Sequence, residues 1–579
     1  MKNRKTLSII GVGPRGLYAL ENFILQLQSI QTPAKIHLLL FERTGNFGNG
    51  QVYDINQTDT NWINISERVL LLNKRPKINL NGVHIPAFPS YHKWLNKNIP
   101  TISEDEPDSY PPRADLGKYL HQRFQSLIEY LLKLQQVTLS EEEVQSVTLN
   151  EKNKISIVTP QKNYDDVDEI LLTIGHQQTE PSEQINEWNN FVEGKNNIKL
   201  FKSPYPIENI LNYENLNKNS VIGLRGFGLA MIDVVRGIAN QFGKFVVEDK
   251  HIKFCQFHSD DNISDMFIPF SLDGLPPAPK PLNAKIDKWF EPTDQQIFDF
   301  EKIIENKTTQ KKASNPSFLI DAILPIIAEI YLKLPQHFLQ GKLSLQDVEK
   351  IAKAYLQNNE FEHPIILSSR LSVSKTMEKF IAMATGKEAI SLDYCIGQVW
   401  RHCQPSIYDK LSFNECNEDV FAKIIELDEG TKRYSYGPPV ASIQQMLALV
   451  KAGVLNLEMV NNPKISLVAG GWCLESEENS ITTDIMINSV LDAPKINSVN
   501  SSIIQNLLSN NLIEAVHDEL GISTDENAYV ISQEKSRKIP IALLGRLAKG
   551  TIIGVDAILE CFGKRPEQWA TEAIKRLNK

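Results

Sequence analysis

Cysteine is scarce in this sequence and follows no pattern: six residues, at 255, 395, 403, 416, 473 and 561, form no Cys-x-x-Cys pair. No histidines gather at metal-ligand spacing. These absences exclude a disulfide framework and a zinc site, and leave reduced core thiols as the expectation. Long hydrophobic runs are missing too. A membrane helix needs about 18–20 apolar residues in succession. The nearest approach, Phe318–Leu334, is broken by Asp321, Pro325 and Glu329. The basic start and Leu7–Ile10 imitate a secretion signal, but a glycine turn ends the apolar run too soon. There is no large block of like charge either: 61 Lys and Arg stand against 70 Asp and Glu, a net charge of −9. A partner held by phosphate neutralisation needs a basic face. Neither a membrane nor a nucleic acid is therefore expected as a partner, and the expected location is the cytoplasm.

What is present is an ordinary globular composition, 42% hydrophobic and 23% charged over 579 residues. That length accommodates roughly three to five domain-sized units. The first fifty residues are the most informative. Leu7–Ile10 reads as a buried strand and leads straight into Gly11-Val12-Gly13-Pro14-Arg15-Gly16. Apolar residues at helical spacing follow from Leu17 to about Ile30. Lys35–Phe41 is a second apolar strand, and it ends at Glu42. Strand, glycine turn, helix, strand and terminal acid is the order of a dinucleotide-binding βαβ unit. Each position has its reason: Gly11 for the tight turn, Gly13 for close approach of a pyrophosphate, Gly16 for helix-on-strand packing. Glu42 can accept hydrogen bonds from an adenosine ribose. The glycine-rich run from Thr44 to Tyr53, with Gly48 at its centre, lies where such a loop lines a diphosphate.

A second nucleotide site is expected further along. Asp168–His176 is an apolar strand ending at Thr173-Ile174-Gly175. Ser220–Gly228 then repeats strand and glycine turn, with Gly223, Gly226 and Gly228, before a helix from Leu229. Met231 occupies the third glycine position, which predicts looser helix packing. The next apolar strand is expected at about 252–257, followed by His258 and Ser259 in place of an acid. Absence of a carboxylate there removes repulsion of a 2′-phosphate and slightly favours NADPH over NADH.

The chain resembles the bacterial FAD/NAD(P)-binding family of flavin-dependent monooxygenases, related to the N-hydroxylating amino-acid monooxygenases. The resemblance rests on Ile9–Leu17, Trp62–Ser66, Tyr110–Leu120, Ile174–His176, Arg225–Asp233, Tyr436–Pro439 and Gly545–Gly550, and so runs nearly end to end. It implies FAD on Gly11, Gly13, Pro14, Arg15 and Gly16, with Glu42 on the ribose. It also implies Asn64 and Arg113 near the flavin or its diphosphate, and Gly545 and Asp556 returning to the flavin. Gly223, Gly226 and Gly228 would cradle NAD(P)H.

The implied fold is α/β: two Rossmann-like dinucleotide-binding domains, a split FAD domain plus an NAD(P) domain, with a helical insertion. The expected divisions are 1–190 for the first part of the FAD domain and 191–290 for the first part of the NAD(P) domain. Residues 291–395 would be the helical insertion, 396–465 the NAD(P) remainder and substrate side, and 466–579 the C-terminal FAD part. The implied activity is a FAD-dependent, NAD(P)H-using monooxygenase forming a C4a-(hydro)peroxyflavin from dioxygen. It would oxygenate a small polar, amino-acid-like substrate, with N-hydroxylation as one form. Two alternatives stay open: an oxidoreductase of the same fold without oxygen insertion, and a non-catalytic dinucleotide-binding protein. Trp400, Arg401 and His402 bunch cationic, aromatic and imidazole groups and are candidates for a carboxylated substrate. No catalytic side chain and no oligomeric state is legible.

Overall fold

The computed structural model describes residues 4–578 apart from 31–34, 81, 98–102, 134, 340, 492, 534–537 and 556. Two parallel sheets organise it. The first contains Lys5–Ile10 (β1), Ile36–Phe41 (β2), Val137–Ser140 (β3) and Glu169–Leu172 (β4), with the late strand Ile541–Leu543 beyond β4. The order across the sheet is 541–543, β4, β1, β2, β3, and every pairing is parallel. Parallel strands are covered on both faces, so they read as continuous apolar runs rather than as alternation. Leu7 and Ile9 in β1 and Ile170, Leu171 and Leu172 in β4 are fully buried accordingly.

Pro14–Leu27 (α1) crosses from β1 to β2. Proline suits the first helical position because its missing N–H has no intrahelical acceptor there. Leu17, Leu20, Phe23, Ile24 and Leu27 give α1 one buried stripe. Arg113–Lys133 (α2) precedes β3, and the C-terminal helix Lys564–Leu577 packs on α1, with the Phe23 and Trp569 rings 6.0 Å apart.

The second sheet has the order Lys199–Phe201 (β5), 485–488, Ile222–Arg225 (β6), Phe267–Phe270, again all parallel. Leu229–Phe242 (α3) follows β6. The strand that comes next in sequence is not the neighbour expected. Lys244–Asp249 (β7) and Phe254–His258 (β8) form an antiparallel hairpin outside the parallel sheet. The next strand in the chain to pair with β6 is Phe267–Phe270 (β9), in parallel.

The helical part also differs from its expected limits. Helices run from Asp294 to Lys451, through Ser317–Lys333 (α4), Leu392–Leu411 (α5), Glu418–Ser435 (α6) and Val440–Lys451 (α7). They share one hydrophobic core with β6 and α3, in which Met231 is fully buried. This region is thus fused to the second sheet rather than inserted beside it. Ile485–Asn488 (β10) lies between β5 and β6, so the chain leaves the second sheet after 488, not at 466. Among the described residues no helix is long and apolar enough to cross a membrane, and no group of side chains could hold a metal ion.

Candidate functional site

The site begins at the end of β1. Gly11 turns with a φ of +89°, and a Cβ there would lie 2.6 Å from the Thr173 carbonyl oxygen, so only glycine fits. The N–H groups of Gly11 and Val12 donate to the Phe41 carbonyl at 2.8 and 3.1 Å, which folds the turn over the end of β2. Gly13 is the N-cap of α1 and no side chain caps it. A Cβ on Gly13 would meet Gly50 Cα at an ordinary 3.5 Å. A Cβ on Gly16 would sit 2.8 Å from Gly11 O and 2.9 Å from Thr173 Oγ1, so this glycine serves helix packing.

Gly11, Gly13, Pro14, Arg15, Glu42, Asn64, Arg113, Gly175, Gly228 and Gly545 all line one cleft of about 2640 Å³. Single-ligand pockets are roughly 300–1,000 Å³, so the cleft has room for more than one ligand. Both sheets supply walls to it. From the second sheet comes the N-terminus of α3, whose N-cap Gly228 also has no side-chain cap. A Cβ at Gly228 would meet nothing within 4 Å. Some helices elsewhere are closed by a side chain, as at Ser182, Thr293 and Ser344, and others, such as those led by Pro316, Ser391 and Gly563, are not. Two helix N-termini therefore offer unpaired N–H groups and partial positive charge to a shared cleft.

Glu42 is nearly buried at the end of β2, and its Oε1 accepts the Thr44 hydroxyl at 2.9 Å. Burial pushes its carboxyl above the usual range. Arg15 donates to the carbonyls of Glu560 at 3.2 Å and Val555 at 3.3 Å, tying α1 to the C-terminal segment. Gly545, at φ +110°, faces Arg15; a Cβ there would lie 3.2 Å from Nε. Asp556, expected to return to the flavin, lies outside the described residues.

Arg113, at the start of α2, crosses to the second sheet. Its Nη2 donates to Asp233 Oδ2 at 2.8 Å, and the Tyr205 hydroxyl donates to the same oxygen at 2.7 Å. The Arg236 guanidinium stands 3.7 Å from Asp233 Oδ1 and 3.9 Å from the Trp62 ring centroid. Asn64 is anchored from two sides: its Nδ2 donates to Tyr436 O at 2.9 Å, and its carbonyl accepts Lys280 Nζ at 2.5 Å.

Several expected contacts are placed elsewhere. Gly48 packs on α2, where a Cβ would come within 2.4 Å of Phe124 Cβ; Asn49 and Gly50 line the cleft instead. Gly223 lies inside β6 against Met486, and Gly226, at φ +108°, abuts Ser489 and Val490; neither is a cleft residue. The triplet on α5 is not at the cleft. Trp400 is fully buried, Arg401 is paired to Asp287, and His402 Nε2 is 3.2 Å from the same carboxylate. His258 ends β8 and Ser259 follows it, outside the parallel sheet, so these two residues do not mark the strand tip beside β6. The strand tip beside β6 is that of β9, followed by Ser271 and by Asp273, which accepts from Arg433. The sequence reading missed Asn49, Tyr205, Tyr436 and Arg433, which line the cleft. Asn49 lies within the glycine-rich Thr44–Tyr53 run and Tyr436 opens the Tyr436–Pro439 stretch of the resemblance, whereas nothing in the sequence singled out Tyr205 or Arg433.

Similarity to known proteins is broad and distant. "Uncharacterized protein YdhS" of Escherichia coli (strain K12) is 21% identical over 510 residues, 84% of this chain and 82% of that protein. The cyclohexanone monooxygenase of Rhodococcus sp. Phi1 bound to NADP+ is 13% identical, covering 99% of this chain and 85% of its own, with a TM-score of 0.42. The ornithine N-hydroxylase KtzI of Kutzneria sp. 744 is 10% identical, covering 99% of both chains, with a TM-score of 0.46. Residues 8–177, the stretch that brings Gly11, Gly13, Glu42, Asn64, Arg113 and Gly175 to the cleft, match the model of an FAD-NAD(P)-binding family.

Proposed function

We propose that this chain is a FAD-dependent, NAD(P)H-using monooxygenase acting on a small polar, amino-acid-like substrate. The carrying observation is that two glycine-led, uncapped helix N-termini, at Gly13 and at Gly228, open on one cleft from two different parallel sheets. Two diphosphates need such cradles, and the cleft volume accommodates two cofactors. The family match over residues 8–177 supports the same reading.

The residues present fit the groups. Gly11 and Gly13 with the first turn of α1 would hold the FAD diphosphate, and Glu42 the adenosine ribose. Gly175 and Gly545 border the same part of the cleft. Gly228 and the first turn of α3 would hold the nicotinamide dinucleotide. When bound, this pair supplies hydride transfer and the activation of dioxygen, which spares the protein a dedicated acid or base. The chain's own contribution is placement. Arg113, locked by Asp233, fixes the distance between the two sheets. Asn64, held by Lys280 and Tyr436, fixes one wall. Keeping the reacting groups aligned and bulk water out is the remaining task of these walls.

The test is the absorption spectrum of the purified protein. We expect a yellow protein that is bleached by NADPH without air. On return of air with candidate amino acids, one product should carry an oxygen atom from labelled dioxygen. A colourless protein that takes up no added FAD would overturn the proposal. Reduction by NADPH without any oxygenated product would establish the plain oxidoreductase instead.

A further inference from the structure

The hairpin that follows α3 supplies no residue to the cleft. β7 and β8 form a two-stranded antiparallel sheet of their own, in which β7 pairs with β8 and with no other strand among the described residues. The opposite edge of β7 therefore carries a row of backbone N–H and C=O groups without sheet partners. Such an edge is a template for another strand. The sequence of β7, Lys-Phe-Val-Val-Glu-Asp, shows which strand fits it.

The two faces of the hairpin are unlike. Phe245 lies opposite Phe257 and Val247 opposite Cys255. Phe257 and Cys255 are buried, and the Phe245 and Phe257 rings are 5.2 Å apart. That face is turned to the body of the protein, with β8 against α7. Side chains alternate along a strand, which places Lys244 and Val246 on the other face, both exposed. Glu248, the extra residue of a bulge between Val247 and Asp249, is exposed as well. Val246 and Val247 are 38% and 49% exposed. Lys244 and Glu248 form no ion pair among the described residues.

Symmetry then selects a register. A two-fold axis normal to the sheet joins two copies of one edge antiparallel and keeps their outer faces on the same side. Each residue meets one of its own parity, so the ladder is centred on a residue. Centred on Val246, it sets Val246 against itself, Phe245 against Val247, and Lys244 against Glu248 at both ends. Centred on Val247, it would oppose Lys244 to Lys250 and Phe245 to Asp249. Centred on Phe245, it would oppose Lys244 to Val246 and Gly243 to Val247. Of these, the Val246 register pairs apolar with apolar and sets opposite charges together twice. The bulge at Glu248 ends the ladder there and keeps it short.

We propose that the open edge of β7 is the contact between two copies of this chain, which join antiparallel about Val246 into one four-stranded sheet. Lys244 of each copy pairs with Glu248 of the other. A lysine on an edge ordinarily repels a second copy. Here the glutamate four residues on turns that charge into the element that selects the register. The ladder is short, so the dimer is weak and its formation depends on concentration. The inference depends neither on the cofactors nor on the reaction.

Sedimentation velocity of the purified chain, from micromolar concentrations to about 1 mM, reads the association. We expect a monomer–dimer equilibrium. Lys244→Glu and Glu248→Lys each turn two attractive pairs into two repulsive ones, and each should weaken the dimer at least about tenfold. The double variant Lys244→Glu/Glu248→Lys restores opposite charges and should return to within about threefold of wild type. Cross-linking gives a second readout. Directly opposed residues in an antiparallel ladder have Cα atoms about 4.5–5.5 Å apart, within disulfide reach. Under mild oxidation Val246→Cys should link to itself, beyond any linkage in wild type, whereas Val247→Cys should not. A monomer at every concentration, charge variants without effect, or a double variant as weak as the single ones would overturn the proposal. So would cross-linking through position 247 in preference to 246.

Discussion

Arg113 reaches from the first sheet's helix to Asp233 on the second, and their 2.8 Å contact is a charged bond between the two halves of the cleft. Both groups are largely sequestered, with side-chain exposures of 19% and 8%. Breaking a buried pair by removing one partner costs roughly 3–5 kcal/mol, because a charge is left without compensation. Tyr205 and Arg236 remain beside Asp233, so Arg113→Ala should fall at or below the lower end of that range, about 2–3 kcal/mol. Urea unfolding of the variant checks this. A loss under about 0.5 kcal/mol, the scale of an exposed pair, would show that the bond does not hold the halves together.

Gly11 and Gly13 should respond differently to a side chain. Gly13→Val has room in the protein, and its branched side chain would occupy the place of a diphosphate. The variant should keep its melting temperature and lose its flavin. Gly11→Ala meets Thr173 O at 2.6 Å and a φ of +89°, so it should lose both. The backbone penalty alone is about 1–2 kcal/mol. A Gly13→Val protein that retains FAD fully would remove this loop from the site.

Lys280 sets a pH dependence. Burial, reinforced by Arg401, lowers its ammonium from 10.5 to about 7. Between those values the unfolded chain carries a proton that the folded chain does not, so stability from this residue rises with pH across the window. Below about 7 both states are charged and the penalty is constant. Lys280→Met should therefore be more stable than wild type at pH 7, and the gap should narrow as pH rises toward 9. Parallel stability curves for the two proteins would contradict this.

Asp273 follows the strand beside β6 and occupies the Arg433 guanidinium. Asp273→Asn removes a charge that repels a 2′-phosphate and frees the arginine to bind one. The ratio of NADPH to NADH efficiency in flavin reduction should rise about tenfold, the worth of one charge-assisted contact. An unchanged ratio would place the adenosine ribose away from the tip of β9.

How much of this was legible depended on distance along the chain. The β1–Gly11–α1–β2 unit and the acid at 42 were readable because every cue sits within some forty residues. The neighbour of β6 was not. The hairpin at 244–258 has the apolar look of the next parallel strand, and only the pairing of Ile222–Arg225 with Phe267–Phe270 reveals that it is bypassed. Gly48, Gly223 and Gly226 show the same limit. A glycine required by a packing neighbour, such as Phe124 against Gly48, reads like one required by a ligand.

The sequence alone determined two strand–glycine–helix units, since φ > 0 turns and unbroken apolar strands are local properties of the residues that form them. The tertiary structure decided that both units open on one cleft. It also decided that Trp400, Arg401 and His402 lie away from the cleft, with Arg401 and His402 on Asp287. Those outcomes depend on contacts between residues far apart in the chain, whose free energy comes from mutual burial and from hydrogen bonds that no single segment can form.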